Sequence, residues 1–140
     1  AGKHIEERFA HKYYSQIGLG IDFTARDIQN ECKAKGLPWE KAKGFDGSAQ
    51  ISPYFINKDN LDIKDISFSL SKNNKCVQKG NSKDLIFSFN QIIEHISKFI
   101  TLKIGDLIYT GTPSGVGKVN KGDQLIGFIE EKEMLKVAVK

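Results

Sequence analysis

The longest apolar stretches of this chain, Leu85-Ile86-Phe87 and Leu107-Ile108-Tyr109 among them, run for only three residues. A bilayer-spanning helix needs roughly 20, so no segment reads as a membrane span. The fold has to be assembled from short elements that each turn one apolar side to a core, and the period of the apolar residues says which elements. Ile66, Phe68 and Leu70 alternate with Ser67 and Ser69, and Asn73-Asn74 makes a turn before Cys76-Val77-Gln78, which predicts a β-hairpin. Ile92, Ile93, Ile96 and Phe99-Ile100 fall at helical spacing and predict one amphipathic helix. Ile5, Phe9, Tyr13 and Ile17 predict an earlier helix, with Glu6 and Glu7 near the positive end of its dipole. Between these, Gly18-Leu19-Gly20-Ile21-Asp22-Phe23 suits a buried strand approached closely by other backbone. Thr24-Ala25-Arg26-Asp27 has the form of a capping box for a helix through Ile28, Gln29 and Cys32, which stops at Gly36-Leu37-Pro38. Leu107 to Thr110, Leu125 to Ile129 and Leu135 to Val139 read as further strands. Mostly β elements with helices at intervals give an α+β class rather than alternating βαβ, and no repeat or linker divides residues 1–140.

A composition of 39% hydrophobic and 27% charged residues is that of an ordinary globular domain. With no signal segment at its start, the chain is expected to be soluble, unexported and cytoplasmic. Cys32 and Cys76 lack the close spacing of zinc or redox motifs and are expected as free thiols. The net charge of +4 comes from lysines spread along the chain, without a basic block or interleaved aromatics, which argues against nucleic acid as a partner. Ala1 leads straight into the first helical pattern, so a further segment is expected upstream.

Three places invite a chemical reading. The segment Thr110 to Lys118 looks like a phosphate loop, but five residues rather than four separate Gly111 from Gly117, and Val119 follows the lysine where Ser or Thr is needed. A plain turn between strands is the competing account. Asp22 is more informative, because a carboxylate between Ile21 and Phe23 in a buried strand is costly without a cation. Arg26 and Gln29, three apart at the start of the next helix, share a face and point toward the same place; an Asp22–Arg26 ion pair stapling strand to helix explains the same residues. Lys43 lies between a helix stop and the Gly44 to Gly47 turn, where a lysine is most often solvated surface. The histidines His4, His11 and His95 mark no site.

Taken together, Gly20 to Gln29, then Lys43-Gly44-Phe45-Asp46-Gly47, then Thr110-Gly111-Thr112-Pro113-Ser114-Gly115-Val116-Gly117 resemble the fumarylacetoacetate hydrolase family in order and spacing. The stretch Glu31 to Trp39 is similar to the branch holding acylpyruvate hydrolases and oxaloacetate decarboxylases. The resemblance implies a mixed β-sheet roll with a few helices, assembled as a homodimer. It implies Asp22 as a metal-ligating carboxylate, Arg26 and Gln29 as substrate-site side chains, Lys43 as the catalytic lysine that stabilises negative charge, and Thr112 as the threonine that holds a substrate carboxylate. The implied cofactor is Mg²⁺ or Mn²⁺.

For a complete enzyme the same resemblance implies hydrolysis of a C–C bond in acylpyruvate-type 1,3-diketo acids through a metal- and lysine-stabilised enolate. Oxaloacetate decarboxylation or isomerisation on the same site is the alternative. The family's Glu-x-Glu ligands, and the lid His-Glu pair that activates water in the acylpyruvate branch, are expected upstream of Ala1. Glu6-Glu7 is not that motif, so residues 1–140 read as a partial catalytic domain that lacks its N-terminal segment and is inactive alone, with a non-catalytic fragment as the alternative.

Overall fold

A computed structural model describes all 140 residues. Its central element is a four-stranded antiparallel sheet in the order β6-β5-β7-β8, built from β5 (Ser67–Lys72), β6 (Lys75–Asn81), β7 (Gln124–Ile129) and β8 (Lys132–Ala138). The predicted hairpin is β5–β6: Asn73 and Asn74 both take positive φ, 51° and 65°, the backbone a two-residue turn needs to match strand twist. Two short antiparallel ribbons accompany the sheet, β1 (Gln16–Ile17) with β4 (Ile56–Asn57) and β2 (Gly20–Asp22) with β3 (Ala49–Ile51). Every ladder in the chain is antiparallel.

The ribbons pack on one face of the sheet. Ile66, Ile129, Met134 and Leu135 form the buried cluster there, and Ile17, Leu19, Ile21 and Ile56 from the ribbon side close over it. The approach is tight at Gly127, where an added Cβ would lie 2.6 Å from Leu19 Cδ2. A second cluster, Ile5, Ala10 and Ile93, joins α1 (Glu7–Ala10) to α4 (Phe89–Ser97). Ser88 and Gln91 form a capping box at the start of α4, which fixes where that helix begins. Helix α2 (Arg26–Lys35) ends at Gly36 with φ 63°, as its glycine predicts, and α3 (Glu40–Lys43) follows after Pro38.

Four expectations need correction. The first helix is a single turn, and Ile17 lies in β1; Ala10 is fully buried while Phe9 and Tyr13 are 41% and 47% exposed, so the four-residue spacing did not mark the buried face. Leu107 to Thr110 enters no ladder in this chain; Tyr109 meets the β2–β3 ribbon through its side chain instead. Thr24 is not a helix cap, since α2 is preceded by Ala25 with no side-chain cap bond. The strand at Asp22 is not deeply buried, for the Asp22 side chain is 49% exposed. Cys32 and Cys76 are free, as expected.

Candidate active site

The β2–β3 ribbon carries Asp22 opposite Ala49, and one residue further Phe23 N–H donates to Ser48 O at 2.7 Å. Beyond it the chain turns into α2, and Ala25 N–H donates to Ala42 O at 3.0 Å, drawing α3 alongside. Ala42 is fully buried in that contact region, so the next residue, the last of α3, faces back over the ribbon end. The Lys43 ammonium donates to Asp22 Oδ2 at 2.6 Å and to Thr24 Oγ1 at 2.8 Å. Thr24 in turn donates to Asp22 O at 3.3 Å. Helix α2 begins one residue too late for Thr24 to stand at its cap position, which Ala25 takes, and the Thr24 hydroxyl bonds Lys43 instead.

The structure thus joins Lys43, not Arg26, to Asp22, and the Asp22–Arg26 staple is not formed. Arg26 donates to Gln29 Oε1 at 2.6 Å, and Gln29 is only 3% exposed. This pair is brought together as the helical spacing predicts, but its amide oxygen is occupied by the guanidinium.

Thr112 belongs to a second cluster. Gln78 of β6 donates through Nε2 to Thr112 Oγ1 at 2.9 Å and to Pro113 O at 3.0 Å. Three residues earlier, Tyr109 donates to Gln50 O of β3 at 2.8 Å, and its ring lies across Gly20, where an added Cβ would collide with it. Gly20 and Asp22 are two apart on β2 and share a face. Burial, and then the nearby Asp22 charge, push the Tyr109 hydroxyl above its usual range. Thr112 makes no bond to the Asp22–Lys43 pair; its hydroxyl is held by Gln78, and the segment that carries it is anchored to the β2–β3 ribbon by Tyr109.

Thr24, Gln78 and Tyr109 were not singled out from the sequence as site residues. Thr24 has a signal, its position two residues from Asp22, but the T-x-x-D spacing points to a helix cap instead. Gln78 carries none within its strand.

A divalent cation implied by the resemblance finds one fitting donor here. Asp22 offers a hard carboxylate oxygen, half exposed, of the kind Mg²⁺ and Mn²⁺ take. No three His, Cys, Asp or Glu side chains converge anywhere in the chain. Asp22 therefore fits as one ligand of a set, and its present partner is the Lys43 ammonium.

The chain resembles known proteins over nearly its whole length. The chain is 40% identical over 139 residues to the oxaloacetate tautomerase FAHD1, mitochondrial, of Mus musculus, covering 99% of this chain and 63% of the mouse protein. It superposes on the crystal structure of fumarylpyruvate hydrolase from Pseudomonas aeruginosa, in complex with Mn²⁺ and pyruvate, with TM-score 0.91 and 33% identity, covering 99% of this chain and 59% of that one. The 5-carboxymethyl-2-hydroxymuconate delta-isomerase of Mycobacterium smegmatis matches with TM-score 0.88 and 28% identity, covering 99% and 53%. The chain thus spans somewhat over half the length of these relatives, which act as hydrolase, tautomerase and isomerase by name. Residues 1–138 match the family model described as fumarylacetoacetate (FAA) hydrolase C-terminal, and the chain belongs to the fumarylacetoacetate hydrolase family.

Proposed function

We propose that the whole protein is a metal-dependent enzyme that cleaves a C–C bond in acylpyruvate-type 1,3-diketo acids by stabilising a pyruvate-like enolate. The observation that carries this reading is the Lys43 ammonium, held by Asp22 at 2.6 Å and Thr24 at 2.8 Å at the end of the β2–β3 ribbon while 32% of its side chain stays open to solvent. Cleavage leaves an electron pair on the keto-acid fragment, and a fixed ammonium donor is most useful where that negative charge develops.

In this reading Asp22 contributes one ligand to Mg²⁺ or Mn²⁺; the bound ion would supply Lewis-acid polarisation of the keto acid. Lys43 donates to the enolate oxygen, Thr112 donates to the substrate carboxylate, and Arg26, braced by Gln29, lines the same site. The proposal extends to a homodimer in the cytoplasm, with the metal set completed by residues outside these 140. The mouse relative is named as mitochondrial, so location is a separate question from chemistry.

A second reading is keto–enol isomerisation or decarboxylation of oxaloacetate, which passes through the same enolate. It is supported by the relatives named for oxaloacetate chemistry, 40% identical in mouse and 43% in Dictyostelium discoideum. Both readings need Lys43. Steady-state kinetics of the complete protein on acetylpyruvate and oxaloacetate should show Lys43→Met lowering kcat by about 10²-fold or more, with a smaller change in KM. Lys41→Met, two residues away and outside the cluster, should behave as wild type. The ratio of the two wild-type activities chooses between the readings, and wild-type kcat in Lys43→Met on both substrates would refute both.

A further inference from the structure

We infer that Gln78 is a positioning residue that sets the polarity of the Thr112 hydroxyl, turning it into a hydrogen-bond donor toward an anionic group; this rests on the reading of Thr112 as a carboxylate-binding residue. A glutamine amide has a donor end and an acceptor end, and its neighbours decide which faces where. Pro113 O is a carbonyl and can only accept, so its 3.0 Å contact fixes the nitrogen end of Gln78 toward the loop. The same nitrogen meets Thr112 Oγ1 at 2.9 Å. With one amide hydrogen for each oxygen, the hydroxyl accepts from Gln78 and its own hydrogen points away.

Thr112 is exposed. A hydroxyl that accepts from Gln78 keeps its O–H for an outward ligand, and a carboxylate, which only accepts, is the matching one. The loop is seated against the same strand by its backbone. A Cβ on Gly115, whose φ is 98°, would collide with Val77 O and lie 3.2 Å from Gln78 Cγ, and one on Gly80 would lie 3.0 Å from Pro113 Cβ. The clamp is therefore set by close backbone approach at two glycines as well as by the amide.

Replacing the amide by a carboxylate reverses the arrangement. Glutamate at this position cannot donate, so the Thr112 hydrogen turns toward it and the hydroxyl shows its lone pairs to the ligand. Pyruvate is the probe, titrated calorimetrically into the complete protein with Mn²⁺. Thr112→Val should weaken pyruvate on the order of tenfold, the scale of a hydrogen bond to a charged group. Gln78→Glu should weaken it at least as much, and Gln78→Met, which frees the hydroxyl without turning it, by about threefold or less. The Gln78→Glu penalty should vanish in the Thr112→Val background.

A penalty that persists in that background is simple charge repulsion and overturns the inference. Equal losses from Met and Glu overturn it too, because Gln78 is then only a clamp. In either case a weakened Thr112→Val leaves the reading of Thr112 standing. Unchanged pyruvate affinity in Thr112→Val overturns both together. Melting curves by circular dichroism show that each variant is folded.

Discussion

Lys43 and Asp22 keep 32% and 49% of their side chains exposed, and ion pairs so open to water contribute about 0–1 kcal/mol. Stability is thus a weak reason for holding them together, and ligand chemistry a better one. Asp22→Asn should leave the fold intact, because the ribbon pairing of residue 22 with Ala49 runs through the backbone. In the complete protein the same change should remove most of the Mg²⁺ or Mn²⁺ affinity measured by calorimetry, since an amide is a poorer ligand for a hard cation. Undiminished affinity would reduce Asp22 to an ion-pair partner of Lys43. These two residues were unequally legible. Asp22 stood out as a carboxylate among apolar neighbours, although the structure finds it half exposed. Lys43 has no local signal, being one lysine among many, and it was singled out by resemblance alone. Helical spacing offers Arg26 as the partner of Asp22, whereas the contact is made by Lys43, because the fold brings α3 beside the start of α2.

The turn between β5 and β6 shows how one element is locked to another. Asp123, at the start of β7, accepts from Asn120 N–H and Asn73 Nδ2 at 2.8 Å each, and Lys72 stands 3.7 Å away. Asn73 also pairs with Gln124 through its backbone N–H and its side-chain oxygen, both at 2.9 Å. These donors, the Asn120 N–H first and then Asn73, hold the Asp123 carboxyl below its ordinary range. A folded-state value below the unfolded one means stability that is present above the unfolded pKa of about 4 and is lost as pH falls through the folded value. Asp123→Ala should therefore destabilise the protein fully at pH 6 to 7, and the gap from wild type should close below about pH 4 in urea titrations. A gap constant down to pH 2.5 would show that the carboxylate charge is irrelevant there. Elements with a strong local rule were legible: the alternation at Ile66 to Leu70 and the Asn-Asn turn gave the hairpin, and Gly36 gave the end of α2. Elements without one were not. Ile5, Phe9, Tyr13 and Ile17 match a helix by spacing, yet a one-turn helix and a strand satisfy the same spacing once Ala10 takes the buried position.

Only 16 of the 140 residues are buried, and side chains as apolar as Ile86 and Ile104 are 90% and 96% exposed. Sequence marks such residues as apolar but cannot say what meets them: Ile86 and Phe87 stay exposed, whereas Ile108 packs against the Ile5, Ala10 and Ile93 cluster. The longest ladders lie in the four-stranded sheet, where β5 is paired on both sides and β7 likewise. Asp22 and Lys43 ride outside it, on a two-stranded ribbon of three residues a side and on a one-turn helix. Amide protons report such differences directly, because a ladder opens locally at a free energy set by its own contacts. Hydrogen-exchange mass spectrometry should find β5 and β7 protected longest and residues 20–24 and 40–51 exchanging orders of magnitude sooner, with no loss of the sheet. Equal protection throughout would mean one cooperative unit. The expected gradient means that the two charged side chains can part and re-form their pair by fluctuations confined to the ribbon, on a clock separate from global unfolding.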